Sequence, residues 1–120
     1  FSPNDDPDLV KISGAIEYDK KIIWANSDDI PERQRFTIAH ELGHAILHPR
    51  ENIVDYRMDG DYSKKELEAN EFAARILMPE SEIKRVKASF KEMKDKNIIS
   101  GLAQYFGVSM QAMMLRLQKL

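Results

Sequence analysis

The chain has no cysteine, which excludes a disulfide framework and any thiolate nucleophile or thiolate metal site. It lacks an apolar run near the length of a membrane-spanning helix and a charged-then-apolar leader, so no membrane partner is expected. It has neither internal repeats nor low-complexity stretches. The lack of thiols suits a reducing compartment, and the expected location is the cytoplasm. The first residue is Phe1 rather than Met, as in a trimmed chain. What remains is a 120-residue sequence, 42% hydrophobic and 32% charged, which suits one globular domain with a single core. The sequence says nothing about oligomeric state.

A net charge of −2 conceals an asymmetry: residues 1–80 hold 10 Lys/Arg against 17 Asp/Glu, and residues 81–120 hold 8 against 3. Six of those eight cations fall within 84–96, which reads as a solvated helix face rather than a nucleic-acid surface.

Any metal site here must use imidazoles and carboxylates, and the three histidines lie within nine residues: His40, His44 and His48. His40-Glu41-Leu42-Gly43-His44 is a His-Glu-x-x-His pentapeptide inside a helical pattern. Positions i and i+4 share one helix face, so His40 and His44 can both address one Zn²⁺ per chain. Glu41, about 100° round the helix from His40, is placed to take a proton from a water that the metal acidifies. That combination is the chemistry of peptide hydrolysis.

Catalytic zinc needs a third protein ligand. The extension His-x-x-Gly-x-x-His is excluded, because Leu47 and Arg50 occupy the required places. His48 lies about 12 Å along the axis from His40, too far for one ion to be shared by all three, so a supporting or cleft-lining place is expected for it. The alternative is a carboxylate from a later helix. On the helix starting near Ser63, Glu66 falls roughly 20° from the centre of the apolar face, while Glu68 and Glu71 fall about 140° and about 160° away. Glu66 is therefore the expected third ligand, with Asn70 one turn on to orient its carboxylate. Ser63-Lys64-Lys65-Glu66 also reads as a capping box, which would commit Glu66 to the helix backbone instead.

The remaining organisation is a loop over 1–11, a hairpin over 12–26 turning at Asp19-Lys20-Lys21, the active-site helix over 32–48, an irregular stretch over 50–62, the third-ligand helix over 63–77, and C-terminal helices over 81–120. Those last are expected at 81–96, 100–106 and 109–119, with a helix-turn-helix-like pair over 100–119. The fold class is α+β, predominantly helical, in one domain over 1–120.

Two stretches together resemble the ImmA/IrrE family of metallo-endopeptidases. They are Arg35-Phe36-Thr37-Ile38-Ala39-His40-Glu41-Leu42-Gly43-His44 and Glu66-Leu67-Glu68-Ala69-Asn70-Glu71-Phe72-Ala73-Ala74-Arg75-Ile76-Leu77-Met78-Pro79. A tail like Leu102–Ser109 also recurs in that family, and the likeness covers about residues 12–117. The resemblance implies a cytoplasmic, zincin-like protease of the gluzincin type, with a small sheet beside the active helix. It assigns metal ligation to His40, His44 and Glu66 and general-base function to Glu41. It further implies a protein substrate of the helix-turn-helix repressor type, encoded by phages, mobile elements or stress-response systems. Family members begin with helical sequence ahead of the hairpin, so the chain is expected to lack an N-terminal portion. The resemblance leaves the oxyanion donor open; Tyr56, Arg57, Tyr62 and His48 are the nearby candidates.

Two other readings compete. The chain could be a metal-binding partner of a repressor that does not cut it. Or the tail could be a DNA-reading helix-turn-helix, but its second helix is methionine-rich with one cation, so direct DNA binding is not expected.

Overall fold

A computed structural model describes residues 1–2, 12–56, 63–90 and 95–120. The chain divides into two units, Phe1–Ala73 and Ala74–Leu120.

The first unit holds a three-stranded antiparallel sheet of order β2-β1-β3, with β1 Ile12–Glu17, β2 Ile22–Ala25 and β3 Ile53–Tyr56. A 3-10 turn over Tyr18–Lys20 joins β1 to β2, and Lys21 closes it in the left-handed region at φ 56°. Opposite Gly14 of β1 stand Ala25 on one side and Asp55 on the other. The strand β3 lies in the stretch read from sequence as irregular, so the hairpin is part of a larger sheet.

Helix α1, Pro31–Leu47, starts with Pro at its first position, where the missing N–H costs nothing, and stops before Pro49. It packs on β1 at Gly14, where an added Cβ would collide with the Thr37 methyl and lie 2.7 Å from the Trp24 carbonyl oxygen. The same Cβ would lie 3.6 Å from Cγ of Glu41, so this close approach seats the centre of α1 on the sheet. Gly14→Ala should destabilise the protein by about 1–3 kcal/mol through overpacking, read as a lower denaturation midpoint.

The buried face of α1 comprises Thr37, Ala39, His40, Glu41, Gly43 and His44, which is largely polar. The helical pattern of the sequence puts Phe36, Ala39, Leu42, Gly43 and Ile46 on one side; Ala39 and Gly43 are buried, yet Ile46 is 57% exposed. Helix α2, Lys64–Leu77, buries Ala69 and Ala73. Gly43 admits Phe72 of α2 so closely that an added Cβ would stand 3.1 Å from its side chain. The two ligand-bearing helices therefore meet at a glycine.

The second unit is a small helical core of Met78, Ile83, Val86, Leu102, Ala103, Phe106, Val108 and Met113. Its helices are α3 Glu80–Lys87, α4 Asp95–Phe106 and α5 Met110–Gln118. The helix expected over 81–96 is shorter, because a 3-10 turn over Ala88–Phe90 ends it. Helix α4 starts earlier than expected and runs through Gly101, where a Cβ would press 3.2 Å from the Phe90 ring. Gly107, at φ 66°, ends α4, and the Ser109 hydroxyl caps α5 by accepting from Ala112 N at 3.0 Å. The two helices bend by 106°, within the range of a helix-turn-helix pair. Arg116 of α5 is nonetheless only 7% exposed, and its Nε donates to the Met78 carbonyl at 2.9 Å. Its guanidinium serves the core and is not offered to a phosphate backbone. No single described helix is long and apolar enough to cross a membrane.

Candidate metal centre

Four side chains from three elements of the first unit converge: His40 and His44 from α1, Asp55 from β3 and Glu66 from α2. His40 Nε2 lies 3.1 Å from His44 Nε2 and 2.8 Å from Glu66 Oε2. Glu66 Oε1 lies 3.0 Å from His44 Nε2. Asp55 Oδ2 lies 3.2 Å from His40 Nε2 and 3.6 Å from His44 Nε2.

These spacings suit shared protons in the metal-free state and a common ion alike. Around a tetrahedral ion with bonds near 2.05 Å, neighbouring donors are separated by about 3.3 Å. The observed separations scatter about that value. Two imidazoles and two carboxylates are also a donor set suited to Zn²⁺. The residues present fit a divalent ion.

The ring orientations agree. His40 Nδ1 donates to Asn70 Oδ1 at 2.8 Å, which turns Nε2 toward the cluster, where a metal would replace its proton. His44 Nδ1 is 2.9 Å from His48 Nδ1, so a proton on His44 Nδ1 is accepted there and the His44 Nε2 lone pair faces the cluster. His48 Nε2 is in turn 3.6 Å from Glu68 Oε1. Asn70 thus supports His40, where the sequence suggested that it would support the Glu66 carboxylate. His48 sits behind His44, away from the donor atoms that face the centre. The capping alternative for Glu66 is half realised: its backbone N–H donates to Ser63 Oγ at 3.4 Å, while its carboxylate turns to the histidines.

Glu41 is fully buried, and neither carboxylate oxygen has a hydrogen-bond partner among the described residues. Burial, and then the neighbouring Asp55 carboxylate, push its pKa up to about 10, with His40 pulling the other way. Burial opposes charging of His40 as well. There the hydrogen bonds and charges of Asp55 and Glu66 prevail and raise it to about 10. His44 is raised for the same reasons. Asp55 is held far below the carboxylate range by His40 and His44, against its burial.

In the metal-free state His40 and Glu41 therefore carry protons at neutral pH. A metal must displace the proton from His40, so affinity should fall as pH drops, by about tenfold per unit for each proton released. The dependence should extend up to about pH 10, the raised value of His40. Calorimetry in buffers of different ionisation enthalpy would count the protons, and a pH-independent affinity would refute the linkage.

Asp55 was missed from sequence because its strand was missed. Tyr56 occupies the last position of β3, opposite Ile12. Arg57 and Tyr62, the other oxyanion candidates, lie outside the described residues.

The profile of the peptidase M78 family, described as an IrrE N-terminal-like domain, matches residues 4–118. The chain belongs to that family. It is 35% identical over 96 residues to an uncharacterized immunity region protein 2 of Bacillus phage phi105, a match covering 77% of this chain and 61% of the phage protein. It is 41% identical over 83 residues to the radiation response metalloprotease IrrE of Deinococcus radiodurans, covering 64% of this chain and 25% of that protein. The IrrE of Deinococcus deserti is 39% identical over 71 residues, covering 55% and 25%. The chain thus spans under two thirds of the first of these relatives and a quarter of the other two. Membership of an M78 peptidase family accords with a centre built for a divalent ion.

Proposed function

We propose that this M78-family chain is a zinc-dependent endopeptidase whose 120 residues act as one metallopeptidase domain. The observation that carries the proposal is the convergence of His40, His44 and Glu66 on one point, beside a buried Glu41 with no hydrogen-bond partner among the described residues. A bound Zn²⁺ would supply Lewis acidity, acidifying water and polarising a peptide carbonyl. His40, His44 and Glu66 would hold the ion, with Asn70 and His48 fixing the two imidazole tautomers. Glu41, beside these donors, would act in its carboxylate form, taking a proton from water and passing it to the leaving amine.

The substrate we infer is a helix-turn-helix repressor in the cytoplasm, whose cleavage would relieve repression. Two relatives support this reading: one is called a radiation response metalloprotease, the other an immunity region protein of a phage. An extended substrate segment would pair along the outer edge of β3, which has no second strand partner among the described residues and carries Asp55 into the centre. The test is incubation with the repressor encoded beside the gene, with and without chelator, followed by mass analysis. Chelator-sensitive fragments are expected. A repressor that is bound yet intact under metal-loaded conditions would favour the non-cutting regulatory partner.

A further inference from the structure

A catalytic zinc site keeps one position open for water, whereas a structural site is closed by four protein ligands. Here four protein side chains, Asp55 among them, turn donor atoms toward one point. Asp55 Oδ2 is as near to His40 Nε2, at 3.2 Å, as the two imidazole nitrogens are to one another at 3.1 Å. Every donor atom of the four lies within 4.8 Å of every other. The geometry points to Asp55 as a fourth, displaceable metal ligand that closes the centre against water and substrate in this state. The inference rests on the metal-centre reading and concerns how that same centre is regulated.

The backbone supports the assignment independently. Asp55 faces Gly14 across the strand pair, so no partner side chain occupies the inner face of the sheet beside its carboxylate. The register between β1 and β3 is irregular at this point: Ile12 pairs with Tyr56 and Gly14 with Asp55, leaving Ser13 as the extra residue. Bulges of this kind re-aim side chains and loosen pairing locally. The strand is an edge strand of four residues, so withdrawing Asp55 disturbs a short ladder on one side only.

Charge gives the closure a functional sense. Two neutral imidazoles and two carboxylates cancel a dication, which suits a buried centre at rest. With Asp55 withdrawn the centre carries net positive charge, and that charge is what acidifies a water ligand. A substrate strand pairing along the β3 edge would act on the element that holds Asp55, and so couple binding to opening.

The test uses the full chain loaded with Co²⁺ alone, whose visible absorption reports coordination, and azide as a small competing ligand. The wild-type spectrum should be unmoved by millimolar azide. Asp55→Ala should bind Co²⁺ at least about tenfold more weakly, respond to azide, and hydrolyse a generic peptide faster than wild type. A wild-type spectrum that shifts with azide overturns the proposal, and this arm decides the matter even if Asp55→Ala fails to fold. Unchanged Co²⁺ affinity in a folded Asp55→Ala overturns it too. Failure of the wild type to take up Co²⁺ or Zn²⁺ at all would instead defeat the metal-centre reading on which the proposal stands.

Discussion

Glu41→Gln should retain about one zinc per chain and lose roughly 10²–10⁴-fold in turnover, the range for removing a positioned general base. The substitution is nearly isosteric at a fully buried position, and it removes a carboxylate whose two oxygens have no hydrogen-bond partner among the described residues. The folded state should suffer little, because the amide keeps the side chain's volume and can still donate to the neighbouring Asp55 carboxylate. At neutral pH the metal-free protein should be at least as stable as wild type, since a pKa near 10 means the native side chain is already uncharged there. Metal analysis and single-turnover cleavage separate the two effects. Cleavage at the wild-type rate by a zinc-loaded Glu41→Gln protein would eliminate the proposed mechanism.

His44→Ala should have the opposite profile: loss of metal first, and of activity as its consequence. His44 is fully buried with both ring nitrogens engaged. Apparent binding free energies of structural zinc sites run about 10–16 kcal/mol, so one ligand of four accounts for roughly 3 kcal/mol, or about 10²-fold in affinity. Truncation also leaves Glu66 facing a cavity with one fewer partner, so the metal-free protein should unfold at lower denaturant than wild type. Equilibrium dialysis against zinc checks the first effect and chemical denaturation the second. Wild-type affinity in this variant would remove His44 from the centre.

How much of this could be read from residues alone depended on whether the relevant contacts were local. The helix expected over 32–48 is found at Pro31–Leu47, because Pro31 and Pro49 mark its ends chemically. Glu66 was separable from Glu68 and Glu71 because helical periodicity assigns faces without any knowledge of the partner. The strand β3 was not legible. Ile53-Val54-Asp55-Tyr56 is too short to show a period, and Asp is a poor strand residue. Its assignment depends on β1, some forty positions earlier, and with it went the fourth member of the centre. Gly101 falls inside the helix expected over 100–106, and its small size serves the packing of Phe90 against α4. Asn70 was placed on the correct face, but its partner is set by the helix-to-helix approach at Gly43, which no one-helix argument contains.

The sheet order has a kinetic consequence. His40 and His44 lie one turn apart in a single helix and are brought together as soon as α1 forms. Glu66 and Asp55 arrive only when α2 and β3 dock, and β3 must close a long loop back to a central strand. Pairings of that range are the slow part of folding. The donor set is therefore completed late, once both carboxylate-bearing elements have docked. Conversely, the bound ion ties the most distant pairing of the first unit to its most local one, so escape from the native state should slow when the centre is filled, beyond what equilibrium stability alone requires.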